Sequence, residues 1–398
     1  MQGPAEARAL GMGAVQRKDL LRALALYVAT RLALAVFVWL TGQHFECHGK
    51  RCTYETIVAG NYLLNGLFQW DAGNYVRIIR DGYYIRDGFD TTATFFPAFP
   101  VAAWLLGKVV GSPLVAGIAL NHVASIVGAY AMCQLVRELG VGASDAPTRE
   151  ATARETTLFW LAAPLAFFHS VFLTESLFAA SSAVMLLSVV RGRWLGVLLA
   201  GIVVTATRSA GMVVVASAAL LAWERRKQER IHLGAALCIA LSPLGLAAFM
   251  AWQHKHLGDA MAWSHVQIRW NRFLTTPWHT IADGWLGLPT LDGNRNVDRM
   301  YAVQELMALA LPAPLFLLRK RFHLPWALWF LGFCEWLLPL LSHGLPSAAR
   351  FQSGNLYFAL AIPALLSQYP TLRGLCWMLF GMVMAWYAST FPFGNWAS

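Results

Sequence analysis

Residues 70–83 read WDAGNYVRIIRDGY, and the side chain there best suited to chemistry is Asp71. A carboxylate at the edge of a cavity can take a proton from a hydroxyl as that oxygen attacks. The indole of Trp70 beside it suits a membrane interface and can stack on a sugar ring. The same stretch also fits a short interfacial helix from about Ala72 to Asp81, with Asp71 as its N-cap. On these residues alone both readings stay open. Tyr75 and Ile78 fall on the face of Asp71, at i+4 and i+7, whereas Arg77 and Arg80 point toward lipid phosphate or solvent.

Other charged residues stand at similar boundaries. Glu175, in FLTES, lies between two apolar runs, where it caps the next helix, orients an arginine or binds a hydroxyl. Asp259, in GDAMAW, follows Gly258 and has the same choice between cap and binding group. Arg208 and Arg350 sit where apolar runs end, a place that snorkelling alone explains. Arg269 and Arg272, in QIRWNR, share a face if that stretch is helical. Arg31 and His122 fall inside apolar runs and need partners there. Cys47 and Cys52, in ECHGKRCTY, form a disulfide if their loop faces an oxidising side. No spacing of His, Cys, Asp and Glu reads as a zinc or magnesium cage, so no metal and no cofactor is expected.

The elements that position these residues follow from composition. The chain has 398 residues, 57% hydrophobic and only 13% charged. Soluble domains carry about 25% charged residues. Apolar runs recur at about 19–41, 113–136, 156–172, 175–190, 194–208, 209–223, 231–252, 301–318, 324–342, 355–369 and 372–390. The expectation is an all-α polytopic membrane protein with about eleven transmembrane helices. A β-barrel would instead show short alternating strands. The net charge of +10 comes from short basic clusters between apolar runs, a sign of topology and not of nucleic-acid binding.

RGR (191–193), ERRKQER (224–230), RKR (319–321) and Arg17, Lys18 and Arg22 belong on the cytoplasmic side. All stay there if 93–111 is re-entrant or interfacial and does not span. Residues 1–18 are then a flexible cytoplasmic N-terminus, and 19–41 is a signal anchor. Residues 19–398 form one membrane domain with extracytoplasmic loops 42–112 and 253–300. Asp71, Glu175, Asp259 and Arg350 converge on that outer face.

Five further segments extend the opening motif. WDAGNYVRIIRDGYY followed by FFPAFP resembles the signature of the GPI mannosyltransferase II (PIG-V-type) family, membrane glycosyltransferases of the GT-C superfamily. NHVAS (121–125), FFHSVFLTESLFA (167–179), TATRSAG (205–211), LGDAMAWSHVQIRWNR (257–272) and SAARFQSGNLYFALAIPAL (347–365) are similar to its later segments, in order. Leu173 and Phe351 stand where that family has tyrosine. The resemblance implies a GT-C-type bundle with interfacial helices in the first extracytoplasmic loop. Its sugar donor is linked to polyprenyl or dolichyl phosphate. The Ala/Arg-rich composition and compact loops look bacterial, which implies an inner-membrane enzyme acting on an envelope glycolipid, glycan or protein.

A phosphate leaving group departs without an acid to protonate it, unlike an alkoxide. One carboxylate as base and a set of cations therefore suffice, with direct inversion at the sugar carbon. The resemblance makes Asp71 the base and Arg350, Arg208, Arg272 and Arg269 the donor-phosphate clamp, since guanidinium binds phosphate oxygens in pairs. Trp70, Tyr75, Glu175 and Asp259 are the expected substrate-binding residues, with Phe96 and Pro97 of FFPAFP as an apolar wall for a prenyl chain. A lipid-linked glycan transporter or a non-catalytic glycolipid-binding subunit would share the many spans but needs no base.

Overall fold

The computed structural model describes residues 21, 24–40, 57, 61–86, 90–143, 145–227, 232–286, 288–289, 295–296, 299–343, 345 and 347–391. Residues 1–18, and Cys47 and Cys52 with the disulfide expected of them, lie outside these. In chain order the helices begin with α1 (Leu24–Leu40), α2 (Tyr62–Leu67), α3 (Asp71–Asp81), α4 (Ala98–Val110) and α5 (Pro113–Leu139). Next come α6 (Ala146–Ala162), α7 (Glu175–Val190), α8 (Trp194–Thr205), α9 (Gly211–Arg225), α10 (Leu233–Leu241) and α11 (Leu244–Leu257). The remainder are α12 (Ala262–His265), α13 (Pro277–Leu286), α14 (Arg299–Ala310), α15 (Trp326–Leu341), α16 (Ala348–Gln352), α17 (Leu356–Leu366) and α18 (Pro370–Thr390). Extended structure among the described residues is slight: Leu288–Pro289 pairs with Arg295–Asn296, and Ile85 bridges Thr91.

α7 is the axis of the bundle. It is apolar or small on every side, and all of its residues except Leu177 and Val184 are buried, as expected of a helix with no polar face. α5, α8, α9 and α17 pack around it. Outward-facing Leu195, Leu199, Leu237, Leu241, Leu375 and Met378 stay exposed, an apolar surface too broad for water. Two segments, Pro113–Leu139 and Leu233–Leu257, are long and apolar enough to cross a bilayer, and seven shorter apolar helices accompany them.

Two expectations change. The run 156–172 is not one helix. α6 starts earlier, at Ala146, and ends at Ala162 because Pro164 has no N–H to continue the ladder. The chain then passes through a 3₁₀ turn, Pro164–His169, and a buried irregular stretch to Thr174. Carbonyls left over at that break explain Arg31: its guanidinium donates to the carbonyls of Leu161 and Ala166 (2.9 Å to the latter) and to Ser170 Oγ (2.5 Å). His122 also finds its partner across helices, Tyr27 Oη at 2.7 Å.

Second, α3 begins at Asp71 itself, with Trp70 as the cap residue and no side-chain capping bond. Trp70 adopts φ 65°, a conformation that costs a bulky residue roughly 1–3 kcal/mol. The Asp71 carboxylate is thereby turned away from its own helix.

Within the 93–111 run the helix is α4, about 20 Å long at 1.5 Å per residue. It turns at Gly111 straight into α5. Gly107 allows the hairpin to close, since a Cβ there would lie 2.6 Å from the Pro113 backbone.

Candidate functional site

Helix ends build the site. Phe172 N–H donates to the Leu67 carbonyl (3.0 Å), which sets the end of α2 beside the irregular stretch that leads into α7. Asn121 of α5 holds that stretch from below, its Nδ2 donating to the carbonyls of Val171 (2.6 Å) and Leu173 (2.9 Å). Ser176 Oγ donates back to the Asn121 carbonyl at 2.6 Å. The NHVAS and FLTES segments are thus one hydrogen-bonded unit. It delivers Glu175, 1% exposed, to the head of α7.

Across from it, the short α16 carries Arg350. Its Nη2 donates to Asp71 Oδ2 at 2.5 Å, and its Nε lies 3.1 Å from Glu175 Oε1. Arg208, in the turn between α8 and α9, donates through Nη2 to the same Glu175 oxygen and through Nε to Thr174 Oγ1 (3.0 Å). Residues distant in sequence thus form a chain, Asp71–Arg350–Glu175–Arg208. Glu175 pairs with both arginines, and no side-chain cap bond forms at the head of α7.

A cavity of about 660 Å³ opens over this chain. Asp71, Tyr75, Arg208, Arg272 and Arg350 line it, and Phe95, Phe96, Trp263 and Trp270 supply an aromatic wall. Three guanidiniums, those of Arg208, Arg272 and Arg350, each stand 5.3 Å from the centre of the Phe351 ring. A ring face offsets part of the repulsion among gathered cations, which gives the phenylalanine at that position a physical role.

Burial works against ionisation of Asp71. The charge and hydrogen bond of Arg350, with Arg272 and Arg208 behind, outweigh it and hold the carboxyl below its ordinary value. Asp71 is nevertheless about one-third exposed, at 36%, so water and an incoming molecule can reach it. Burial pushes the Tyr75 hydroxyl above its usual value and keeps it a donor.

Other expected site residues fall elsewhere. Arg269 and Arg272 do not share a face. Asn271 between them takes the left-handed conformation (φ 55°), which turns Arg272 into the cavity and sends Arg269 outward to the Arg86 carbonyl. Asp259 is half-buried, away from the cavity, and accepts from Met261 N–H (2.8 Å) and His265 Nδ1 (2.7 Å). Those two contacts hold its carboxyl below the ordinary value. Pro97 is the cap residue of α4, and Trp70 packs in the apolar cluster beneath; neither lines the cavity.

Sequence reasoning missed Glu335. It sits in the middle of α15, 6% exposed, lines the cavity, and neither carboxylate oxygen has a hydrogen-bond partner. A lone acid within an apolar run was the signal that could have found it. Among the described residues no three His, Cys, Asp or Glu side chains gather where they could hold a metal ion.

The site lies at one end of the bundle, and the described basic residues of 191–193, 224–227 and 319–321 lie at the other. α7 runs about 24 Å from Glu175 to Val190 at 1.5 Å per residue. Just beyond it, Arg191 Nε donates to Glu138 Oε1 at 2.7 Å. Glu224, at the end of α9, accepts from the N–H groups of Trp326 (2.9 Å) and Ala327 (3.1 Å), and Arg321 meets Gln368 at 3.3 Å. The α4–α5 turn is a full α5 length, about 40 Å, from that basic end.

Residues 43–231 match the family model described as mannosyltransferase (PIG-V). That stretch, just under half of the chain, is similar to the PIG-V mannosyltransferase family. The match takes in Asp71, Glu175 and Arg208, while Arg272, Glu335 and Arg350 lie beyond it. No curated protein matches the sequence. Among solved structures the chain is similar to the Archaeoglobus fulgidus oligosaccharyltransferase tethered to an acceptor peptide, with TM-score 0.39 and 11% identity over 92% of this chain and 55% of that one. The same enzyme in complex with an inhibitory peptide and a dolichol-phosphate gives TM-score 0.38 and 13% identity, again over 92% and 55%. The chain spans about half the length of the solved structures it matches.

Proposed function

We propose that this protein is an inverting membrane glycosyltransferase. It moves a sugar, mannose by the family that residues 43–231 match, from a polyprenyl- or dolichyl-phosphate donor to an acceptor hydroxyl, with Asp71 as general base. The observation that carries this reading is the Asp71–Arg350 pair on the wall of a cavity that also holds Arg208 and Arg272. A proton acceptor and a set of anion-binding cations are the two parts that the reaction needs.

In the step itself, the acceptor oxygen attacks the anomeric carbon from the face opposite the phosphate. The new C–O bond forms as the old one breaks, and its electron pair leaves on the phosphate oxygen. The acceptor's proton passes to Asp71. Arg350, Arg208 and Arg272 receive the phosphate; Glu175 orients the first two. In the resting pair Arg350 weakens Asp71 as a base. A phosphate that draws Arg350 toward itself relieves that hold, so donor binding and base activation are coupled. Tyr75 and Phe96 face the substrate from the aromatic wall.

The placement of basic clusters at the far end supports a cytoplasmic basic end, a cytoplasmic N-terminus and an extracytoplasmic site, with the shorter apolar helices completing about eleven spans. A bacterial inner membrane, and an envelope glycolipid, glycan or protein as acceptor, follow from the same reading. The test is transfer from polyprenyl-phosphate mannose by the full chain in nanodiscs, with the anomeric configuration of the product read by NMR. Retention of configuration, or no transfer to any hydroxyl acceptor, refutes it.

A further inference from the structure

Glu335 is a buried carboxyl on the cavity wall that the reaction above leaves without a task. Its place in the fold is built with care. Pro339, four residues on, has no N–H to offer the Glu335 carbonyl. That carbonyl takes Gln352 Nε2 instead, at 3.3 Å, and Asn355 Nδ2 takes the Gly332 carbonyl one turn earlier at 3.0 Å. Gln352 follows Arg350 by two residues in α16 and also accepts from Asn355 at 2.9 Å. α15 presses against α17 here so closely that a Cβ on Gly332 would lie 2.2 Å from Tyr357 Cβ. The backbone under Glu335 is therefore fixed to the segment that carries Arg350, and its side chain reaches the cavity with both oxygens unsatisfied.

A buried polar group without a partner costs folding free energy. The cost is recovered when a ligand brings donors. Two polar oxygens on one planar carboxyl match two adjacent hydroxyls of a sugar ring, each of which can donate or accept. Resting on the transferase reading, we propose that Glu335 binds the sugar of the lipid-phosphate donor by a pair of adjacent hydroxyls, while Arg350 and its neighbours hold the phosphate. The sugar and its phosphate are one covalent unit, and Glu335 and Arg350 are two points of one rigid wall. Glu335 thus reads the sugar where the arginines read only the charge.

The test compares two probes, polyprenyl-phosphate mannose and bare polyprenyl phosphate, by binding to the full chain in nanodiscs. Wild type is expected to prefer the sugar-bearing lipid. Glu335→Leu is expected to lose that preference by roughly tenfold or more, the worth of one to two hydrogen bonds to a carboxyl, while bare polyprenyl phosphate binds as before. Its thermal stability is expected to hold or rise, because an unsatisfied buried group has been removed. Glu335→Gln keeps the shape and one oxygen, and is expected to fall between. Equal preference in wild type and both variants overturns the inference, as does an equal loss for both lipids. The failure of the transferase reading looks different: a preference for the sugar-bearing lipid that depends on Glu335, without any transfer.

Discussion

Asp71→Asn separates base from scaffold. Asparagine keeps the shape and one acceptor oxygen for Arg350 but cannot take a proton. Loss of a positioned base lowers kcat by roughly 10²–10⁴-fold. Stability should hardly change. Asp71 is 36% exposed, and buried Arg350 keeps Glu175 as a counter-charge, so the lost pair is worth about 1 kcal/mol. The same energy sets a second effect of opposite sign. With its counter-charge gone, Arg350 is freer to meet phosphate, so bare polyprenyl phosphate should bind more tightly, by up to about fivefold for 1 kcal/mol. The assay is transfer of labelled mannose in nanodiscs, with lipid binding and thermal unfolding measured on the same preparation. A variant that keeps more than a tenth of wild-type kcat refutes the assignment of the base. Weaker phosphate-lipid binding in a folded variant refutes the competition between Asp71 and phosphate for Arg350.

Other outcomes follow from the same contacts. The folded pKa of Asp71 lies below its ordinary value, so its contribution to stability is present above the unfolded value and is lost as pH falls through the folded one. The acid limb of kcat/KM should accordingly fall below pH 3.8, and Arg350→Gln should move it upward; a limb between pH 5 and 6 in wild type contradicts this. Asn121→Leu removes the donor for two buried carbonyls, at roughly 1–3 kcal/mol each. It should lower the melting temperature and raise the donor KM, because Glu175 follows directly; an unchanged KM in a folded variant speaks against that positioning. Gly107→Ala forces the α4–α5 hairpin apart from a 2.6 Å approach. It should cost roughly 1–3 kcal/mol, read as a fall in thermal stability with the Asp71 site unmoved.

Much of the fold could be read directly because its signals are local. Apolar runs of helical length foretold helices, and the described members of three basic clusters, at Arg191, Arg225 and Arg321, fall at the end of the bundle away from the site. The errors arose where tertiary contacts override local pattern. The run at 156–172 looked continuous, yet Pro164 breaks it and Arg31, more than a hundred residues away, receives the freed carbonyls. Asp71 looked like a cap, yet the backbone at Trp70 turns it toward Arg350.

The residue types at the site were visible in the motifs, but their association was not. Arg269 and Arg272 had equal claim until the left-handed Asn271 sent them to different neighbours. Glu335 passed unnoticed, because one acid in an apolar run carries no record of what it faces. Patterning along a chain reports how each segment partitions between lipid, water and core, a property of its own side chains. Which carboxylate meets which guanidinium depends on the packing of α3, α7, α15 and α16 against one another. That distance, from Asp71 to Arg350 across 279 positions of sequence, exists only once the helices have closed around it.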